Sequence, residues 1–168
     1  MDNIIDVATG EVKVGRNNQV LVSNAIGSCV AVVAIDPENK VGGIAHVMLA
    51  GKAPDNERLK TKYAYNAINV LFKEMRLIDA IKSNLKVFIA GGGNVLKLKD
   101  DNVCEANIRS TIELLENKGI KIHNKAVGGN ERRTVRLDIY NKTVFCSEGS
   151  GLEIILWKAN QEENLKEA

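Results

Sequence analysis

Residues 29–35 read Cys-Val-Ala-Val-Val-Ala-Ile, and residues 41–49 read Val-Gly-Gly-Ile-Ala-His-Val-Met-Leu, with Asp36-Pro37-Glu38-Asn39 between them. This pattern restricts the fold more than any other in the chain. A continuous apolar run rich in β-branched residues is a buried strand. Asp followed by Pro is a type I turn signal. The two runs are therefore expected to form an antiparallel hairpin, in which paired positions have a constant sum. With the turn centred between Pro37 and Glu38, Cys29 and His46 oppose each other on one face. Cα atoms of such pairs lie about 4.5–5.5 Å apart.

The rest of the chain alternates strand and helix patterns. Residues 6–14 and 19–23 read as strands about a turn at 15–18. Residues 52–59 are polar, contain Pro54 and read as a loop. A helix is expected over 60–76, with Ala64, Ala67, Ile68, Leu71 and Met75 on its buried face. Residues 86–90 form a buried strand that enters Gly91-Gly92-Gly93. A second helix spans about 103–118, capped by Asn102 with Glu105 and stopped by Gly119. Its buried stripe is Ile108, Thr111, Ile112 and Leu115. Strands follow over 120–127, 134–140 and 143–147, with a tight turn at Asn141-Lys142. Hairpins interspersed with helices predict an α/β chain of α+β type. Its mixed β-sheets form a layered, cysteine-hydrolase-like sandwich flanked by helices. One domain over residues 1–150 is expected, then a tail over 151–168 with an apolar patch and a frayed polar end.

Composition narrows the function classes. Among 168 residues, 23 Lys and Arg against 21 Asp and Glu give a net charge of +2, and aromatic residues are only 4%. Neither a basic stripe nor a stacking platform is present, so nucleic acid is not an expected partner. No stretch approaches a membrane span, and residues 1–10 lack the basic start and apolar core of a signal peptide. No membrane insertion and a cytoplasmic location are expected. Two histidines without metal-ligand spacing predict no metal and no cofactor. Gly91-Gly92-Gly93 fits no phosphate-loop pattern and suggests close backbone approach instead. Cys104 and Cys146 read as packing residues, His123 as structural or surface, and Arg132 and Arg133 as a solvated face. Trp157 is either core cover or a contact surface.

Cys29 and His46 carry the chemistry. A free thiol has a pKa of about 8.5, and the thiolate is the nucleophile. A neighbouring imidazole can take its proton. Backbone N–H groups at Gly27 and Ser28 are candidates to bind an oxyanion. The Ser23 hydroxyl is placed to orient the imidazole.

Residues 23–32, Ser-Asn-Ala-Ile-Gly-Ser-Cys-Val-Ala-Val, followed by the Ala-His-Val-Met-Leu of residues 45–49, resemble the chemoreceptor glutamine deamidase family, CheD. So do Lys62-Tyr63, the Phe-Ile-Ala-Gly-Gly-Gly-Asn of residues 88–94, Asn107 in the second helix, and residues 127–133. The likeness spans roughly residues 6–148. It implies Cys29 as nucleophile, His46 as base, and Ser23 where the family has threonine. It implies hydrolysis of receptor glutamine side chains to glutamate, with methyl-accepting chemotaxis receptors and a CheC-type phosphatase as partners. A non-catalytic role as a regulatory partner of that phosphatase is the alternative.

Overall fold

The computed structural model describes residues 3–100 and 102–160. The apolar run forms β4 (Val30–Asp36), with all seven residues buried. It pairs antiparallel with β5 (Val41–Val47), also buried throughout. Alternation along β4 divides the core. Ala31, Val33 and Ile35 pack with Leu21, Val135, Leu137 and Val144 of a second sheet. Val30, Val32 and Ala34 pack with Ala67, Ile68, Leu71 and Leu115 from helices. A strand apolar at every position is thus explained by a sheet covered on both sides.

That sheet has the order β2-β5-β4-β6-β7, adding β2 (Val12–Arg16), β6 (Lys86–Gly91) and β7 (Ile122–Val127). The facing sheet has the order β1-β3-β8-β9-β10. Its strands are β1 (Ile4–Asp6), β3 (Val20–Ile26), β8 (Arg133–Asp138), β9 (Thr143–Glu148) and β10 (Ile154–Lys158). Each sheet contains one parallel pair, β1 with β3 and β6 with β7. Helices α1 (Ala64–Leu77) and α2 (Asn102–Asn117) pack on the first sheet only. The result is a mixed-sheet α+β sandwich of three layers, as expected.

Several local expectations hold. The α1 stripe is Ala64, Ala67, Ile68, Leu71 and Met75, all buried. Gly119, at φ 69°, ends α2 in a Schellman motif. Its N–H donates to Glu116 O at 2.9 Å, and the Ile120 N–H donates to Leu115 O at 3.0 Å. Cys104 and Cys146 are buried. His123 is structural: its Nδ1 accepts the Val87 N–H at 3.1 Å, where the β6–β7 register shifts.

Other expectations are corrected. The hairpin pairs Ala31, not Cys29, with His46. Asp36 Oδ1 accepts the N–H groups of Glu38 and Asn39, both at 3.0 Å, and Lys40 takes φ 52°. The loop therefore holds four residues, centred one position later than expected. The pairing shifts by two, an even number, so Cys29 stays on the face of His46. The same turn recurs after β8, where Asp138 Oδ1 accepts the Asn141 N–H at 2.9 Å and Lys142 has φ 50°. A four-residue turn thus replaces the tight one expected at Asn141-Lys142.

Residues 6–14 are not one strand. The Ala8 N–H bonds Glu11 Oε2 at 2.9 Å, Gly10 turns at φ 80°, and the chain passes from one sheet to the other. Gly15, expected in a turn, lies within β2 opposite Gly42. On α2 the fully buried residues are Cys104, Asn107, Thr111 and Leu115, while Ile108 and Ile112 are partly covered. Asn102 is already the first helical residue, so the capping position at 101 lies outside the described residues. The frayed end expected beyond residue 160 also lies outside them. The apolar patch before it contains β10, and Trp157 is core cover, its ring 5.5 Å from that of Phe88.

Candidate active site

The chain's crossing between sheets builds the centre of the site. Val7, at the crossing, donates its N–H to Val22 O at 2.8 Å. Gly10 donates to His46 O at 2.9 Å, and His46 donates its backbone N–H to Glu11 O at 3.0 Å. The segment therefore straps across the end of β5 and fixes the His46 backbone. The imidazole is fully buried and points between the sheets.

There Ser23 meets it. Ser23 Oγ lies 2.8 Å from His46 Nδ1 and donates to Val7 O at 2.7 Å. A hydroxyl has one proton. With that proton on Val7 O, Ser23 must accept from Nδ1–H, so the imidazole proton sits on Nδ1. Nε2 is then a lone pair, buried and without a hydrogen-bond partner. Ser23 reaches this position by ordinary strand alternation from the buried Leu21, opposite Val135; β3 then bulges against β8 between Ser23 and Ile26, with Ala25 at φ 54°. Ser23 and Ile26 are thereby both buried, although simple alternation would part them.

Cys29 occupies the bend before β4 and is half-buried. It packs against the inter-sheet core that His46 faces. It also opens on a cleft of about 390 Å³, lined by Gly93, Val95, Leu96, Val103 and Arg132 among others. The bend is held by three successive carbonyls. Gly27 O accepts the Gly93 N–H at 2.8 Å, Ser28 O accepts Asn107 Nδ2 at 2.9 Å, and Cys29 O accepts the Gly92 N–H at 2.7 Å. The glycine run makes the close approach expected of it. A Cβ on Gly91 would stand 2.2 Å from Cys29 O.

Burial raises the Cys29 thiol above its ordinary pKa, partly offset by its own backbone N–H. Burial lowers His46, partly offset by the Val7 backbone and the Asp6 charge. At neutral pH the resting pair is therefore a thiol and a neutral imidazole. Because the folded state prefers the neutral ring, His46 stabilises the fold above the ordinary histidine value near 6.5. That contribution is lost as pH falls from there through the depressed folded value.

Of the residues singled out in the sequence, Ser23 and His46 are brought into contact, and Cys29, Gly27 and Ser28 line the cleft; the Cys29 sulfur makes no hydrogen bond to His46 Nε2. Arg133 is not a solvated side chain. It is buried, bonds Gly91 O at 3.1 Å and Gly128 O at 2.7 Å, and pairs with Glu148 at 2.8 Å. Arg132 is exposed at the cleft. From the sequence, Asn107 stands out only as a second-helix residue within the likeness described above. Its place among the buried residues of α2, where an amide needs partners, is the signal that marks it.

Ser23→Ala is expected to lower activity roughly 10- to 100-fold through loss of the oriented tautomer. Ser23→Thr keeps the hydroxyl and is expected to stay within about threefold of the parent. Steady-state rates of the two variants check this.

These features define a class: a two-sheet α+β sandwich with a buried serine–histidine pair joining its layers and a half-buried cysteine packed against the same inter-sheet core. The family model for CheD, chemotactic sensory transduction, matches residues 48–148. A probable chemoreceptor glutamine deamidase CheD of Chlorobium luteolum is 37% identical over 150 residues, covering 89% of this chain and 75% of the relative. The chain belongs to the CheD family. The chemoreceptor glutamine deamidase CheD of Thermotoga maritima is 35% identical over 88% of this chain and 93% of its own length. A probable chemoreceptor glutamine deamidase CheD of Methanococcus maripaludis is 31% identical over 90% of this chain and 99% of its own length. Among solved structures, the Bacillus licheniformis hypothetical protein YfiH aligns at TM-score 0.41 and 14% identity, over 71% of this chain and 50% of that one. That likeness is too remote to bear on the site. The family-model match begins after His46, so it does not cover Ser23, Cys29 or His46.

Proposed function

We propose that this chain hydrolyses glutamine side chains of chemoreceptors to glutamate, with Cys29 as nucleophile and His46 as base. The observation that carries this reading is the hydrogen-bond chain from Val7 O through Ser23 to His46 Nδ1, which leaves Nε2 free to take a proton. His46 Nε2 accepts the thiol proton as sulfur attacks the carboxamide carbon. Backbone N–H groups of the Gly27–Cys29 bend hold the oxygen as it becomes negative. Imidazolium then protonates the departing nitrogen, and ammonia leaves a thioester. Water, deprotonated by His46, opens the thioester to glutamate and restores the thiol.

The test is to incubate the protein with a purified receptor cytoplasmic domain. Each modified glutamine should add about one dalton to the receptor and release one ammonia, as the stoichiometry of amide hydrolysis requires. Neither change, in a receptor with unmodified glutamines, would refute the reading. The same assay gives a pH profile. Since the base must be neutral and its pKa is lowered by burial, the acid limb should fall below pH 6.5.

The rim of the cleft also suits a protein surface. Leu96 is 76% exposed, Leu98 54% and Val103 48%. On this ground we propose that a CheC-type phosphatase engages the same mouth. A Cys29→Ala protein that still binds it would separate docking from chemistry. Both encounters are proposed for the cytoplasm. No helix among the described residues is long and apolar enough to cross a membrane.

A further inference from the structure

Asn107 projects from α2 with its side chain almost wholly buried. Its Nδ2 donates both protons, one to Ser28 O at 2.9 Å and one to Met48 O at 3.0 Å. Both partners are carbonyls, so the nitrogen must be the atom facing them. Ser28 immediately precedes Cys29, and Met48 lies just beyond His46 on the way out of β5. One amide therefore ties the cysteine's loop to the strand that carries the histidine.

The tie also sets a direction. A trans peptide is planar, and its N–H points opposite to its carbonyl. Drawing Ser28 O toward α2 turns the Cys29 N–H away from the helix. Cys29 packs on that side, against the inter-sheet core, and its own backbone N–H acts on the thiol in the direction that favours the thiolate. The flanking peptides cannot compensate by rotating, because Gly27 O and Cys29 O are held by Gly93 and Gly92.

We infer that Asn107 is a positioning residue: it fixes the Ser28–Cys29 peptide so that the Cys29 N–H faces the sulfur and the oxygen that becomes negative during attack. The oxyanion half of this inference rests on Cys29 being the nucleophile. The N–H half does not.

Asn107→Asp keeps the shape and removes the donor. Two readouts are expected to change together. For receptor deamidation, kcat should fall about 10- to 100-fold with KM within about threefold, because the misplaced donor acts mainly in the transition state. For alkylation of Cys29 by iodoacetamide, the midpoint of the rate-against-pH curve should move to higher pH, because the thiolate loses its N–H. A merely structural role would lower the amount of active protein without moving that midpoint. If Asn107→Asp does not fold, Asn107→Ser carries the same readouts. The unsubstituted protein supplies a third arm: the Cys29 amide proton resonance should shift as the thiol titrates. An unmoved alkylation midpoint in a folded variant, or an unmoved amide resonance in the parent, overturns the inference. Failure of the nucleophile assignment is separate and shows as undiminished ammonia release from Cys29→Ala.

Discussion

Cys29→Ala is expected to lower ammonia release from receptor by roughly 10³-fold or more while leaving the fold intact. The size follows from the chemistry. Removing the sulfur removes the proposed thioester route, and what remains is whatever the proposed oxyanion donors and bound geometry do for water. Nothing nearby substitutes, since Cys104 and Cys146 are both buried and Cys29 alone opens on the cleft. The structural cost is small. The residue is half-buried, its carbonyl keeps the Gly92 bond, and alanine suits the bend, so the loss of stability should be about 1 kcal/mol or less. Activity within tenfold of the parent, with an unchanged melting curve, would remove Cys29 from the mechanism.

The second large effect concerns stability. Gly91→Ala is expected to destabilise the protein by about 3–5 kcal/mol, near the upper end for single substitutions. Gly91 sits at φ 126°, where a side chain is strained regardless of space. An added Cβ would also lie 2.2 Å from Cys29 O, 2.7 Å from Ile26 Cγ2 and 3.1 Å from Val30 Cα. Backbone would have to retreat from backbone, and β6 would part from the start of β4. Total stabilities of about 5–15 kcal/mol make such a variant marginal. Gly119→Ala is the control. It too has a positive φ, but nothing lies within 4 Å of its Cβ, so it should lose only about 1 kcal/mol. Urea unfolding of the two variants separates the terms. Equal losses would mean that the crowding at Gly91 relaxes freely.

What could be read from the sequence follows from the range of each signal. The α1 face was legible because one helical period repeats from Ala64 to Met75, about three turns, without interruption. The shared face of Cys29 and His46 was legible because strand parity survives a two-residue error in register. The size of the loop was not, since it depends on Asp36 binding two N–H groups and Lys40 accepting a left-handed backbone. The break after Asp6 was hidden for the same reason: Glu11 and Gly10 make a turn inside an otherwise strand-like run. Arg133 beside Arg132 resembled an exposed pair. Its burial is set by Gly91, Gly128 and Glu148, which are brought together only by the two-sheet fold. Ser23 was placed near the imidazole by its position on the preceding strand and by standing where the resembled family has threonine. The bulge that follows it and brings Ile26 to the same side has no local signature beyond Ala25 in an unusual conformation.

Ser23 belongs to one sheet and His46 to the other, and a 2.8 Å contact joins them. In the proposed reaction that contact works as a clasp between two leaves. A slide of the leaves by about an ångström would forfeit the bond while most of the apolar packing survived. Gentle heating or pressure should therefore silence the enzyme before it melts, and core substitutions far from the cysteine should be felt at the imidazole.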